Sequence, residues 1–119
     1  MGIIKAKSIP EKYFEEKCFI SEILNNNDFK SFSIARCKVA PGVTTELHSL
    51  KDTTEVYYIL SSKGKMEING KEVGITEPGD IVFLPANNSQ RITNINDEDL
   101  IFLCICSPRF VVDNYLQYS

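Results

Sequence analysis

A single histidine, His48, occurs in the 119 residues, and seven positions later Glu55 heads the apolar run Val56-Tyr57-Tyr58-Ile59-Leu60. A carboxylate buried in such a run is costly unless it is paired. An imidazole is its natural partner, because the ring changes charge near neutral pH. His48 and Glu55 form the candidate pair. Residue types alone leave three readings open: a metal site, a general acid/base couple, and a structural ion pair. Period-two alternation sends Tyr57 to the face of Glu55 and Tyr58 to the opposite face. Tyr57 is therefore either a hydroxyl donor to a bound molecule or a core aromatic. The same rule turns Ile59, Gln90, Ile92 and Asn94 inward, and places Glu46, His48 and Leu50 on one face of a regular strand. Gln90 among apolar neighbours needs partners for its amide, which a ligand or metal can supply. Arg109, in Ser107-Pro108-Arg109-Phe110, follows the last strand and is either a clamp for a substrate carboxylate or phosphate or a surface residue.

With one histidine, neither a three-His zinc site nor a two-His-one-carboxylate iron triad can be assembled within one subunit. The remaining donors, His48, Glu55 and the amide oxygen of Gln90, make a weak, oxygen-biased set better suited to Mn²⁺ or Mg²⁺ than to tightly held Zn²⁺.

The elements that must position these residues are strands. Pro41-Gly42, Asn69-Gly70, Pro78-Gly79 and Asn87-Asn88 are turn signals, and between them lie runs rich in Val, Ile, Tyr and Phe. Strands are expected over 32–39, 55–60, 65–68, 81–84, 91–94 and 100–107, with Asn69-Gly70 as a two-residue hairpin turn. Tyr57, Ile59, Phe83, Ile92 and Phe102 are expected in the core. Helix formers between breakers occur only over 10–17 and in the tail after Pro108, each enough for about one turn. The apolar stretch Cys18 to Leu24 reads as an arm strand that pairs with the barrel or, as an exposed edge, with a second subunit.

Composition excludes other classes. Apolar residues make up 43% and charged residues 24% of the chain, an ordinary globular balance. Thirteen basic against sixteen acidic residues give a net charge of −3 with scattered lysines, which offers no footprint for nucleic acid or an anionic membrane. The longest apolar run, Leu100 to Cys106, is far short of the roughly 20 residues of a membrane-spanning helix, and no export or lipidation signal opens the chain. Cys18, Cys37, Cys104 and Cys106 lack paired spacing and read as reduced core thiols, which points to the cytoplasm.

The spacing over 41–94 resembles the two motifs of the cupin superfamily. Pro41-Gly42, His48, Leu50, Glu55 and the turn ending at Gly64 are similar to the first motif. Pro78-Gly79-Asp80, Pro85, Asn87, Gln90 and Asn94 are similar to the second. The resemblance implies an all-β fold, an antiparallel double-stranded β-helix or jelly-roll barrel, formed by one domain over 1–119. Residues 1–31 would be an N-terminal arm with the first strands, and 108–119 a C-terminal tail. In the family, His, His and Glu of the first motif and a His of the second hold one divalent metal inside the barrel. Here His48 and Glu55 stand at two of those positions, whereas Leu50 and Gln90 replace the other two histidines. The resemblance thus implies either a divalent metal (Mn²⁺, Fe²⁺, Ni²⁺ or Zn²⁺) on His48, Glu55 and Gln90, or none. His48, Glu55 and Tyr57 would be catalytic, and Glu46, Leu50, Tyr57, Ile92 and Arg109 would contact substrate. The implied function is a small-molecule-binding cupin. It is either a weakly metal-dependent enzyme acting on a sugar derivative or keto acid by isomerase-, epimerase- or lyase-type proton transfer, or a metal-free, non-catalytic binder. A homodimer is expected.

Overall fold

A computed structural model describes residues 2–14 and 16–118. Short strands follow one another along the chain: β1 (Lys12–Phe14), β2 (Cys18–Asn26), β3 (Phe29–Val39), β4 (His48–Leu50), β5 (Thr54–Ser61), β6 (Gly64–Ile68), β7 (Lys71–Thr76), β8 (Ile81–Leu84), β9 (Gln90–Asn94), β10 (Leu100–Ser107) and β11 (Tyr115–Gln117). Helix is confined to two 3₁₀ turns, Ala6–Ser8 and Val112–Asn114. The strands form two antiparallel sheets, six-stranded β1-β2-β3-β10-β5-β8 and five-stranded β11-β4-β9-β6-β7. They face each other as the two walls of a jelly-roll barrel. Asn69 and Gly70 both adopt left-handed φ, 52° and 79°, and close the β6–β7 hairpin as the Asn-Gly pair requires.

Alternation determines what enters the barrel. Glu55, Tyr57 and Ile59 of β5, Gln90, Ile92 and Asn94 of β9, and Leu100, Phe102, Cys104 and Cys106 of β10 are buried, while their sequence neighbours lie on the outer face. One end of the barrel is filled by Val39, Ile59, Met66, Leu84, Ile92, Leu100 and Phe102. Gly64 is needed there, since a Cβ at that position would sit 2.6 Å from Ile92 Cδ1. Asn94 ties this end shut: its Nδ2 donates to the carbonyls of Val39 (2.9 Å) and Glu98 (2.8 Å), and its Oδ1 accepts from the Asn96 amide. The cavity that His48 and Glu55 line lies toward the other end.

Four expectations are corrected. Phe83 is 61% exposed, not core: its register opposite Val56 of β5 turns it outward, while Val82 and Leu84 point in. Residues 10–17 form no helix among those described, because pairing of Lys12–Phe14 with Cys18–Ile20 overrides the local helix formers. The tail after Pro108 ends in strand β11 paired with β4, rather than in helix alone. Of the two readings of the Cys18–Leu24 stretch, pairing within the barrel holds and the exposed edge does not, because β2 lies between β1 and β3 of the same chain. All four cysteines are free and buried, as expected. Among the described residues no helix is long and apolar enough to cross a membrane.

Candidate functional site

The open end of the barrel encloses a cavity of about 60 Å³, room for roughly four to six water-sized spheres at about 10–15 Å³ each. His48 and Leu50, two residues apart on β4, both face it, as do Glu55 and Tyr57 of β5. The β2, β3 and β10 wall adds sulfur from Cys18, Cys37, Cys104 and Cys106.

Glu55 and Gln90 meet across the barrel, one from each sheet. Tyr57 Oη donates to Gln90 Oε1 at 2.7 Å, and Gln90 Nε2 donates to Glu55 Oε1 at 2.9 Å. The amide therefore has both ends committed, which fixes its orientation. The second carboxyl oxygen of Glu55 accepts from the Cys106 thiol, whose Sγ donates at 3.6 Å, and the Cys104 thiol also acts on the carboxyl. Burial pushes the Glu55 carboxyl up to about 7, against the opposing effect of the bonds from Gln90 and the thiols. Burial also raises the Tyr57 hydroxyl well above its ordinary value, so it remains a proton donor.

His48 does not bond to Glu55. Its Nδ1 lies 2.8 Å from the Glu46 carbonyl oxygen. A ring nitrogen facing a carbonyl must carry the proton, which leaves Nε2 as a lone-pair acceptor. Nε2 makes no hydrogen bond among the described residues and is open to the cavity that His48 lines. Burial lowers the His48 pKa below its ordinary value, so the ring is neutral at physiological pH. Tyr115 of β11 stacks on the imidazole, with centroids 4.7 Å apart and planes at 15°.

Beyond this cavity an outer vestibule of about 430 Å³ opens past Tyr13, Phe14, Glu16, Glu22, Glu46 and Tyr115. Glu46 sits at this mouth rather than beside His48, because β4 begins only at His48. Its carboxylate accepts from Tyr115 Oη and Gln117 Nε2, both at 2.7 Å. Glu16, on the wall of both spaces, has its carboxyl pushed up to about 7, first by burial and then by Glu55, Glu46 and Glu22.

The structure thus brings His48, Leu50, Glu55 and Tyr57 to one cavity and separates other expected site residues from it. Gln90 stands opposite His48 across the β4–β9 pair but is not on the cavity wall, its amide being bonded to Tyr57 and Glu55. Ile92 is packed in the solid end of the barrel. Arg109 is turned away: its guanidinium donates to Asn25 Oδ1 (2.7 Å) and to Asn27 Oδ1, and its backbone amide to the Lys30 carbonyl, so it staples the β2–β3 hairpin. Sequence reading missed Glu16, Glu22 and Tyr115; Tyr115 arrives through the distant pairing of β11 with β4, Glu22 on β2 and Glu16 in the turn before it.

The donor set does not fit a firmly held divalent metal. Leu50 presents methyl groups at one of the four positions, and Gln90 Oε1 is occupied by the Tyr57 proton. No group of three or more His, Cys, Asp or Glu side chains among the described residues is arranged to hold a metal ion.

Comparison with known proteins agrees with the fold. The profile of the Cupin_2 family, a cupin domain, matches residues 35–106. The chain is 38% identical over 76 residues to an oxalate-binding protein of Thermotoga maritima, with 64% of this chain and 62% of that protein covered. It is 30% identical over 114 residues to an uncharacterized protein of Methanocaldococcus jannaschii, with 92% and 90% covered. The crystal structure of a predicted oxalate decarboxylase from Thermotoga maritima superposes with a TM-score of 0.80 at 26% identity, covering 90% of this chain and 99% of that one. The match therefore spans less than two thirds of the oxalate-binding protein and nearly all of the other two.

Proposed function

The chain belongs to the cupin family, and from that membership we propose that its barrel cavity binds a small, polar, non-anionic molecule and exchanges a proton with it through Glu55 and His48. The observation that carries this reading is Glu55: an enclosed carboxyl, pushed up to about 7, with one oxygen anchored by Gln90 and its other polar neighbours weakly donating thiols. Such a group is available as acid or base at neutral pH. A neutral His48 with its Nε2 lone pair turned to the same space supplies the complementary base. His48 would take a proton from the carbon beside a carbonyl while Glu55 donates one to the carbonyl oxygen. The imidazolium of His48 then gives its proton to the former carbonyl carbon of the enediol while the Glu55 carboxylate takes the proton of the other hydroxyl, which becomes the new carbonyl, and both residues are regenerated. Tyr57 acts as a positioning residue, because its hydroxyl proton is spent on Gln90 and not on a ligand.

Charge narrows the ligand. The Thermotoga relative is named for oxalate, but a dianion in this cavity would lie beside Glu55 and Glu16 with no lysine or arginine on the wall. A keto acid meets the same repulsion, whereas a small sugar-type hydroxycarbonyl does not. A homodimer belongs to the same proposal. Its support is the outward apolar face of β5 and β8, where Tyr58 pairs with Ile81 and Phe83 with Val56.

The test is solvent exchange. Glyceraldehyde and dihydroxyacetone are incubated with the protein in D₂O and followed by proton NMR. The expected result is loss of the α C–H signal, slowed by about 100-fold or more in Glu55→Gln. Exchange no faster than buffer would overturn the catalytic reading. Cavity resonances shifted by these compounds without exchange would indicate a binding module instead.

A further inference from the structure

We propose that the cavity takes a short α-hydroxycarbonyl whose far end is a plain alkyl group, with Leu50 and Ala35 as the residues that set this choice. The inference deepens the proton-transfer reading of the same site and rests on it. The lining divides by depth. Glu16 and Glu22 line the vestibule as well as the cavity and so belong to its mouth, whereas His48, Glu55, Leu50, Ala35 and the four cysteines line the inner cavity alone. The hydroxyls of that inner wall are engaged within the protein. Tyr57 Oη donates to Gln90, Thr45 Oγ1 donates to the Ile92 carbonyl and accepts from its amide at 3.0 Å, and Ser33 Oγ accepts from the Phe110 amide at 2.8 Å. Thiols are weak hydrogen-bonding groups, and these face one another or Glu55: the sulfurs of Cys37 and Cys104 lie 3.1 Å apart, and Cys106 donates to Glu55. What the inner wall offers a guest is therefore His48 Nε2 and the Glu55 carboxyl, and both are taken up by the reacting carbonyl and the hydroxyl-bearing carbon beside it.

A hydroxyl on a third carbon would be buried against methyl groups and sulfur without a partner. Leu50 is the clearest part of that wall. It is buried, yet it stands outside the packed core cluster, so its side chain faces the cavity, two residues from His48 on β4. Ala35, on β3 of the facing sheet, contributes a single methyl group and leaves room for the methyl group of a guest. A cavity of about 60 Å³ suits a guest of three carbons. The reaction on such a guest is the interconversion of hydroxyacetone and lactaldehyde through their shared enediol. His48 takes a proton from the hydroxymethyl carbon and returns one to the former carbonyl carbon. Glu55 gives a proton to the carbonyl oxygen and takes one from the other hydroxyl, so the step needs no oxidant, reductant or further reactant.

Hydroxyacetone and dihydroxyacetone differ only by the terminal hydroxyl. Each is incubated with the full chain in D₂O, and loss of the hydroxymethyl proton signal is followed by NMR, with every rate divided by that in buffer alone. Hydroxyacetone is expected to exchange with a kcat/KM about 10-fold or more above that of dihydroxyacetone. Ala35→Ser and Leu50→Asn, shown to be folded by circular dichroism, each place a hydrogen-bonding group on the apolar wall and should lower that ratio by about 3-fold or more. Dihydroxyacetone exchanging as fast as hydroxyacetone, or a ratio that neither variant moves, would overturn the inference and leave proton transfer at Glu55 standing. If neither compound exchanges faster than buffer, the proton-transfer reading falls, and the methyl resonances of Leu50 and Ala35 decide the choice of guest. Hydroxyacetone shifting them with an affinity about 10-fold above that of dihydroxyacetone would support it, and equal or absent binding would overturn it.

Discussion

Replacing Glu55 with glutamine keeps the shape of the side chain and removes its proton equilibrium, so its effect on stability has a defined dependence on pH. Glu55 is 6% exposed, and burial pushes its carboxyl from 4.5 up to about 7. A carboxyl raised in the folded state keeps its proton after the unfolded chain has released its own. Between those two values the native state binds more protons, and stability falls as pH rises. Below the lower value both states are protonated and stability is at its full level; above the upper value both are ionised and the loss is complete. The span from 4.5 to about 7, at about 1.4 kcal/mol per pH unit, corresponds to a loss of about 3 kcal/mol in the wild-type protein. Glu16 contributes in the same direction over the same window, since its carboxyl is likewise pushed up to about 7. Glu55→Gln removes the share due to Glu55, because the glutamine oxygen can still accept from Gln90 Nε2. The variant should therefore gain about 2 to 3 kcal/mol on the wild type between pH 5 and pH 8. Urea unfolding followed by circular dichroism and tyrosine fluorescence at half-unit pH steps measures this directly. A difference between the two proteins that stays constant across the range, or that moves in favour of the wild type as pH rises, would refute the reasoning.

Three further outcomes are expected. Leu50→His combined with Gln90→His should raise affinity for Mn²⁺, Ni²⁺ or Zn²⁺ by about 10-fold or more per added ligand in calorimetry on folded protein, because the positions lie around His48 and Glu55; unchanged affinity would show that they do not converge. Tyr57→Phe leaves Gln90 Oε1 buried without its donor and should cost about 1 to 3 kcal/mol in thermal or urea unfolding, whereas an unaltered transition would mean that the bond contributes nothing. Sedimentation at micromolar concentration should give a dimer that Phe83→Glu dissociates, while a monomeric wild type would remove the β5–β8 face as an interface.

The parts of the fold legible in the sequence are those whose alternation is unbroken. Leu100 to Ser107 forms β10 over its whole expected range, and Glu55, Tyr57 and Ile59 point inward as period two requires. Phe83 shows the limit of that signal: Ile81-Val82-Phe83-Leu84 is apolar throughout, so its pattern does not say which pair is buried, and only the register with β5 decides. Strands β4 and β11 are three residues each, too short to carry a period. Their pairing is what stacks Tyr115 on His48. In the site, residue direction was readable and partnership was not. Gln90 does point inward, but its amide is consumed by Tyr57 and Glu55 rather than offered to a ligand. His48 does face the cavity, but its bond runs to a backbone carbonyl two residues away instead of to Glu55. Glu16 lies outside the span of the family motifs, in the turn between β1 and β2, and its carbonyl accepts from the Glu46 amide, a contact distant in sequence.

The central claim is that Glu55 stands in the barrel cavity as a carboxyl able to hold or release a proton near neutral pH. A carboxyl-carbon NMR titration of ¹³C-labelled protein from pH 4 to 9, with Glu55→Gln assigning the signal, tests it most directly. The account predicts an inflection near 7 for Glu55, as burial sets it. An inflection at the ordinary glutamate value near 4.5 would contradict it, since Glu55 would then be a plain ionised carboxylate throughout the physiological range with no proton to give.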